Sequence, residues 1–333
     1  GFLYQSINMN FTKKQFKHHT KGVTSGIFHA TLPLFTVSDK IITLYNLTTS
    51  PPIIQDQFKN HTDFVHCIAI HPNQPLLATG SSDNTAIIYN IDTSPPTKQH
   101  HLKYHTDDVR SIAFHSNFPL LVTGSDDTTV ILYNLTTTPV TIQHHFKHHQ
   151  YWVFCVAFHP CFLIMASGSW DYSVILYDIS VLPPVMKHHL KHHTGSVLCV
   201  VFHPTCPFIA TGSVDRLTLL YDISALFSSV WGSTLTAIKT IKTPPLTITY
   251  QLNHHRYSVC SVAFHNTLQL LATSSYDNTV ILYDLITSPP SIKHHLKDHD
   301  HRNSIQVVAF HPSLPLLASV FNDTIIFYNL NSI

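Results

Sequence analysis

Glycine is scarce in this chain, with nine copies in 333 residues, and that scarcity excludes the glycine-rich loops that cradle phosphate groups. Charge is scarce too. Asp, Glu, Lys and Arg make up 11% of the sequence, where about 25% is usual, and 19 basic residues against 18 acidic ones leave a formal charge of +1. Such a balance carries no basic footprint for nucleic acid and no acidic tail. The six cysteines include no spaced pair of the kind that holds a metal. No apolar run approaches the roughly 18 residues of a membrane span, because Lys, His, Asn or Pro interrupts each stretch. No signal-peptide pattern follows Gly1; the chain reads as soluble, and Gly1 in place of an initiator Met reads as a processed or truncated start. An apolar fraction of 44% is ordinary for a globular protein and excludes disorder as the main state. What is abundant is histidine, at 28 copies.

A second abundance is self-similarity. A tyrosine closes one apolar run after another, at Tyr45, Tyr89, Tyr133, Tyr177, Tyr221, Tyr283 and Tyr328, in steps of 44, 44, 44, 44, 62 and 45 residues. A fixed period of this size decides an architecture before local propensity does. Seven copies follow, at about 15–47, 58–91, 102–135, 146–179, 190–223, 252–285 and 296–330, with an insertion at about 224–241 that contains Trp231. Composition does not shift along the chain, so residues 1–333 are expected to form a single domain.

Within a unit the runs VLCVVF, FIATGS and LTLLYDI are strand-length and rich in β-branched residues, and a looser TIQHHF type of segment leads into the next copy. His-Pro, Ser-x-Asp-x-Thr and Thr-Ser-Pro-Pro between them are turn chemistry. The third strand, as in Val130–Tyr133, is apolar at successive positions, which requires burial of both faces. Four-stranded sheets stacked face to face meet that requirement, and seven of them can close into a ring.

Four strands per 44 residues, a His before the first strand, an Asp in the second turn and Tyr-Asn or Tyr-Asp at the end resemble the WD-repeat β-propeller family. The resemblance implies an all-β, seven-bladed propeller with four antiparallel strands per blade, closed by an N-terminal strand within Leu3 to Lys14 joining the last blade. The family's Gly-His appears with its second residue at His19, His61, His105, His149, His193, His255 and His299, and its Trp-Asp with Tyr in place of Trp.

Read in one copy alone, His with Asp looks catalytic, but repetition in every unit argues for a structural part. The resemblance implies a buried hydrogen-bond network of His61, Thr79, Asp83 and Tyr89. Its counterparts are His105, Asp127 and Tyr133; His149, Asp171 and Tyr177; His193, Asp215 and Tyr221; and His255, Asp277 and Tyr283. The first copy keeps Asp39, whereas the seventh has Asn322 with Asp323 shifted by one, which marks that blade as the weakest. Adjacent His residues on a strand point to opposite faces, so KHHLKHH at 187–193 makes a poor chelate; no metal and no cofactor is expected. A second histidine set follows the first strand, at His29, His71, His115, His159, His203, His265 and His311, and could ring the lower mouth of the channel; if most of the histidines are exposed, the charge climbs steeply as pH falls through about 6.5. Cys67, Cys155 and Cys199 occupy one position in separate units, too far apart to bridge; free thiols in a reducing, intracellular and cytoplasmic setting are expected.

If the shared positions build the scaffold, the varying ones on one rim carry recognition. Before the first strand they read Asp63-Phe64, Asp107-Asp108, Tyr151-Trp152, Gly195-Ser196 and Tyr257-Ser258; before the turn Asp they read Ser82, Asp126, Trp170, Val214 and Tyr276. The candidate partner-binding residues are Tyr151, Trp152, Phe154 and Trp170 of blade 4, Asp107, Asp108, Arg110 and Asp126 of blade 3, and Tyr257 and Tyr276, since aromatic anchors beside charges suit protein interfaces. The alternative is that these rings pack over the loops of their own blade. The resemblance implies a non-enzymatic scaffold that binds other proteins or peptides; a structural or self-associating component of a larger assembly is the competing reading.

Overall fold

A computed structural model describes residues 13–17, 23–29, 34–38, 41–49, 52–226, 245–297, 305–321 and 324–332. Their regular structure is strand, apart from one 3-10 turn at Ser224–Leu226. Blade 1 comprises β2 (Ser25–Phe28), β3 (Leu34–Ser38), β4 (Ile42–Asn46) and β5 (Ile53–Phe58); blade 2, β6 (Val65–Ile70), β7 (Leu76–Ser81), β8 (Ala86–Asn90) and β9 (Thr97–Leu102). Blade 3 comprises β10 (Val109–Phe114), β11 (Leu120–Ser125), β12 (Val130–Asn134) and β13 (Thr141–Phe146); blade 4, β14 (Val153–Phe158), β15 (Ile164–Ser169), β16 (Val174–Asp178) and β17 (Val185–Leu190). Blade 5 comprises β18 (Val197–Phe202), β19 (Phe208–Ser213), β20 (Thr218–Asp222) and β21 (Ile248–Leu252); blade 6, β22 (Val259–Phe264), β23 (Leu270–Ser275), β24 (Val280–Asp284) and β25 (Ser291–Leu296). The remaining sheet joins β26 (Val307–Phe310), β27 (Leu316–Phe321) and β28 (Thr324–Asn329) to β1 (Lys13–Lys17).

A seven-bladed ring, its last blade completed by an N-terminal strand within Leu3 to Lys14, was the expectation, and its blade count needs correcting. Consecutive strands complete six blades only; the seventh four-stranded sheet is a composite of both chain ends, in the order β1-β28-β27-β26. The free edge of β28 is taken by β1, antiparallel, with Lys13 opposite Tyr328 and Lys17 opposite Thr324. This strand lies further along the chain than Leu3 to Lys14, and only Lys13 and Lys14 fall in the expected segment. The repeat frame is also displaced from the sheets. A unit such as 102–135 starts at the last residue of outer strand β9 and stops within the chain of blade 3, whose sheet runs from Val109 to Phe146, because a period fixes spacing and not where a sheet begins.

The first strands line the inside of the ring and touch in sequence, β2 beside β6, then β10, β14, β18, β22 and β26, which returns to β2. The core lies between the sheets. Val122, Leu132 and Phe146 of blade 3, for example, pack with Val156, Met165 and Tyr177 of blade 4, and the third strand is buried along all its apolar positions. This double burial is why those strands do not alternate. Glycine is placed where the blades come closest: a Cβ on Gly80 would meet Val109 Cγ1 of blade 3 at 2.5 Å, and one on Gly168 would meet Val197 Cγ1 of blade 5 at 2.6 Å.

The second histidine set is buried, so these imidazoles form no exposed ring at the channel mouth. In His71, His115, His159, His203, His265 and His311, Nδ1 accepts two backbone N–H groups of the following turn, such as those of Asn73 and Gln74 at 3.1 Å on His71. Each ring also packs on a phenyl of the next blade. The pairs are His71 with Phe114, His115 with Phe158, His159 with Phe202, His203 with Phe264, His265 with Phe310 and, across the closure, His311 with Phe28, at 4.7 to 5.4 Å. Burial holds all of these imidazoles below the usual histidine range, His159 and His311 down to about 4.

Candidate functional site

The loop before each first strand and the turn between second and third strands meet at one rim, and the shared polar residues join them there. In blade 2, His61 Nδ1–H donates to Asp83 Oδ2 at 2.9 Å, and its Nε2 lies 2.8 Å from Thr79 Oγ1. The same Oδ2 accepts the Thr62 backbone N–H, while Oδ1 takes the hydroxyl and N–H of Thr85. Blades 3 to 6 repeat this with His105–Asp127, His149–Asp171, His193–Asp215 and His255–Asp277 at 2.7 to 3.0 Å, each imidazole also 2.7 to 2.8 Å from a hydroxyl: Thr123, Ser167, Thr211 and Thr273. Burial alone would raise these carboxyls, but donors from His, Thr or Ser and backbone N–H hold Asp83, Asp127, Asp171, Asp215 and Asp277 below the usual range. The tyrosines join unevenly. Tyr221 and Tyr283 hydroxyls meet His192 and His254, whereas those of Tyr89 and Tyr177 are buried without a hydrogen-bond partner. Burial pushes the Tyr89 phenol up to about 12.

Above this layer lie the residues that vary. In blades 2 to 6 the register slips at the second residue of the inner strand, between Val65 and Cys67, Val109 and Ser111, Val153 and Cys155, Val197 and Cys199, and Val259 and Ser261. A bulge re-aims the side chain it carries. Here it turns His66, Arg110, Phe154 and Cys260 to the residue before the turn Asp. His66 bonds Ser82, Arg110 pairs with Asp126, Phe154 stacks on Trp170 at 5.6 Å, and Cys260 and Tyr276 interact.

Blade 4 is wholly aromatic at this rim. Trp152 meets Trp170 at 4.7 Å and 88°, and the two loops are tied by the Trp170 N–H donating to the Trp152 carbonyl at 2.9 Å. Both indoles remain about two-fifths exposed, and Tyr151 beside them is more exposed still. Blade 3 is ionic instead. Arg110 donates through Nε and Nη2 to Asp126 Oδ2 at 2.9 and 2.6 Å and lies 3.0 Å from Asp108 Oδ2, which also accepts from Ser82 and faces His66 Nε2. Burial raises the Asp126 carboxyl above its usual range against the pull of Arg110, and burial followed by the Arg110 charge lowers His66. Tyr257 and Tyr276 of blade 6 are exposed.

The structure therefore brings Trp152, Phe154 and Trp170 together, and likewise Arg110, Asp108 and Asp126, with Tyr257 and Tyr276 two blades away. His66 escaped the sequence reading. Its only signal there was the 16-residue offset from Ser82, which means nothing until the bulge is seen. Trp231 and most of 224–241, His19, His299, Asp39, Asn322 and Asp323 lie outside the described residues.

A cavity of about 360 Å³ opens between blades 2 and 3, lined by residues that include Asp83, His101, Lys103 and His105. Its Asp83 and His105 are already engaged in the blade networks. Among the described residues, no group of three or more His, Cys, Asp or Glu converges as for a metal ion, and no helix is long and apolar enough to cross a membrane.

None of the curated proteins compared matches the chain. A family model described as WD domain, G-beta repeat matches residues 53–90, 96–134, 140–178, 185–222 and 246–284, together more than half of the chain. Each match carries one blade's third strand with its closing tyrosine, and with the sheets stacked around a ring the chain belongs to the WD-repeat family of β-propeller proteins.

Proposed function

We propose that this propeller is a non-enzymatic scaffold for protein–protein interaction, with blade 4 and its neighbours on the loop-and-turn rim as the recognition surface. The observation that carries the reading is the aromatic group of Trp152, Phe154 and Trp170, fixed against one another with the two indoles open to solvent. Rigid aromatic rings of this kind lose little freedom on binding and dominate interface energetics. Catalysis is disfavoured because the recurring His-Asp pairs are consumed as internal hydrogen bonds. Proteins or peptides are the partners proposed, and nucleic acid is not, given the near-neutral charge. Six free thiols support an intracellular, cytoplasmic site of action. The test is affinity purification with mass spectrometry of the wild type beside Trp152→Ala/Trp170→Ala. Loss of partners with an unchanged circular dichroism melt is expected; unchanged partners overturn the reading.

A second reading, self-association, rests on a different surface. The loop and outer strand of blade 4 expose Val181, Leu182, Val185 and Met186, with Leu182 75% exposed. Light scattering separates the two, since a monomer at working concentration removes this second reading.

A further inference from the structure

Resting on that rim reading, the geometry points to a partner segment of definite chemistry: a peptide with Lys or Arg beside apolar side chains, the apolar residues seated on Trp152 and Trp170 and the cation over Asp63, Asp107 and Asp108. The two halves of this surface are adjacent. Inner strands β10 and β14 run side by side, tied by the Val156 N–H donating to Ser111 Oγ at 3.0 Å, so the ionic rim of blade 3 abuts the aromatic rim of blade 4.

On the ionic side Asp107, Asp108 and Asp126 surround one guanidinium, Arg110, which Asp108 and Asp126 engage, and a fourth carboxylate, Asp63, stands in the loop of blade 2 beside Phe64, whose carbonyl takes the Ser82 N–H. His66 adds no compensating charge near neutrality, being held below its usual range by burial and by Arg110. Exposed Asp63 and Asp107 use one oxygen each on the next backbone N–H, at 2.8 and 2.9 Å. Asp126 shows the same shortage of donors from beneath: its side chain is 5% exposed, Oδ2 takes both Arg110 contacts, and Oδ1 is buried with no hydrogen-bond partner. Lys59, Lys103 and Lys147 follow the outer strands β5, β9 and β13, on the circumference and not at the inner mouth. An anionic patch beside open indoles repels acidic segments and attracts a cation flanked by apolar groups, since rim charges select partners and speed their encounter.

The test pans phage-displayed random 12-residue peptides on the full chain. Selected peptides are expected to carry Lys or Arg next to Leu, Phe or Trp. As synthetic peptides they should bind roughly thirtyfold more weakly to Trp152→Ala/Trp170→Ala and about fivefold more weakly to Asp63→Asn/Asp107→Asn, with affinity falling as NaCl rises. Both aspartates are exposed and their backbone bonds survive as Asn, so folding is preserved, and a thermal melt checks it. Peptides that need the indoles but ignore the Asn substitutions and salt overturn the charge assignment alone. Peptides rich in Asp and Glu overturn it outright, and binding insensitive to the Trp substitutions overturns the rim reading as well.

Discussion

Thr128 stands at φ 72° in the turn of blade 3, in the left-handed region that penalises a β-branched residue, where blades 2 and 6 place Asn84 and Asn278. Thr128→Asn is expected to raise stability by about 1 kcal/mol, read as a higher melting temperature. Gly168→Ala should do the opposite. Its Cβ would stand 2.6 Å from both Cys155 Sγ and Val197 Cγ1, and the overpacking is expected to cost about 1–3 kcal/mol in chemical denaturation. Residues of this kind divide what was legible from what was not. His105 and Asp127 announce themselves because five of the seven copies place the pair 22 positions apart. The pairing of Arg110 with Asp126, or of Phe154 with Trp170, does not, because those identities change from blade to blade and only the bulge brings them into contact.

Among the elements, the strands were readable from their continuous apolar runs, and the closing strand was misplaced because KKQFK carries no such signal. The turn after each first strand holds the larger surprise. An imidazole there looks like any surface histidine in sequence, yet its Nδ1 lone pair anchors two backbone N–H groups and its ring bears on the next blade's phenyl. His115→Ala should loosen that turn and the junction of blades 3 and 4 together. A loss of about 2 kcal/mol is expected, since two backbone N–H donors lose their acceptor, with faster amide exchange at Asn117 and Phe118 as the local readout. Exchange unchanged at those amides would refute the anchoring role.

For the whole molecule, these imidazoles set the response to acid. Their folded pKa values lie below the free value of about 6.5, two of them at about 4, so between those limits the unfolded chain binds more protons than the folded one. Stability is therefore full above about pH 6.5 and falls as pH drops toward 4. His71 and His159 each feel the charge of His115, and His311 that of His265, so a proton on one of these imidazoles holds its neighbour still further from protonation. Melting temperatures measured from pH 7.5 to 4.5 should decline steeply, and a flat profile would contradict the buried, neutral assignment. The composite sheet adds a mechanical consequence. Because Lys13 lies opposite Tyr328, both strands leave their ladder at the same end, and tension applied across the two termini peels the hydrogen bonds apart one after another instead of loading all of them in shear. The ring thus has a zip-fastener at its seam, and an optical-tweezers trace should show it giving way at low force before any other blade yields.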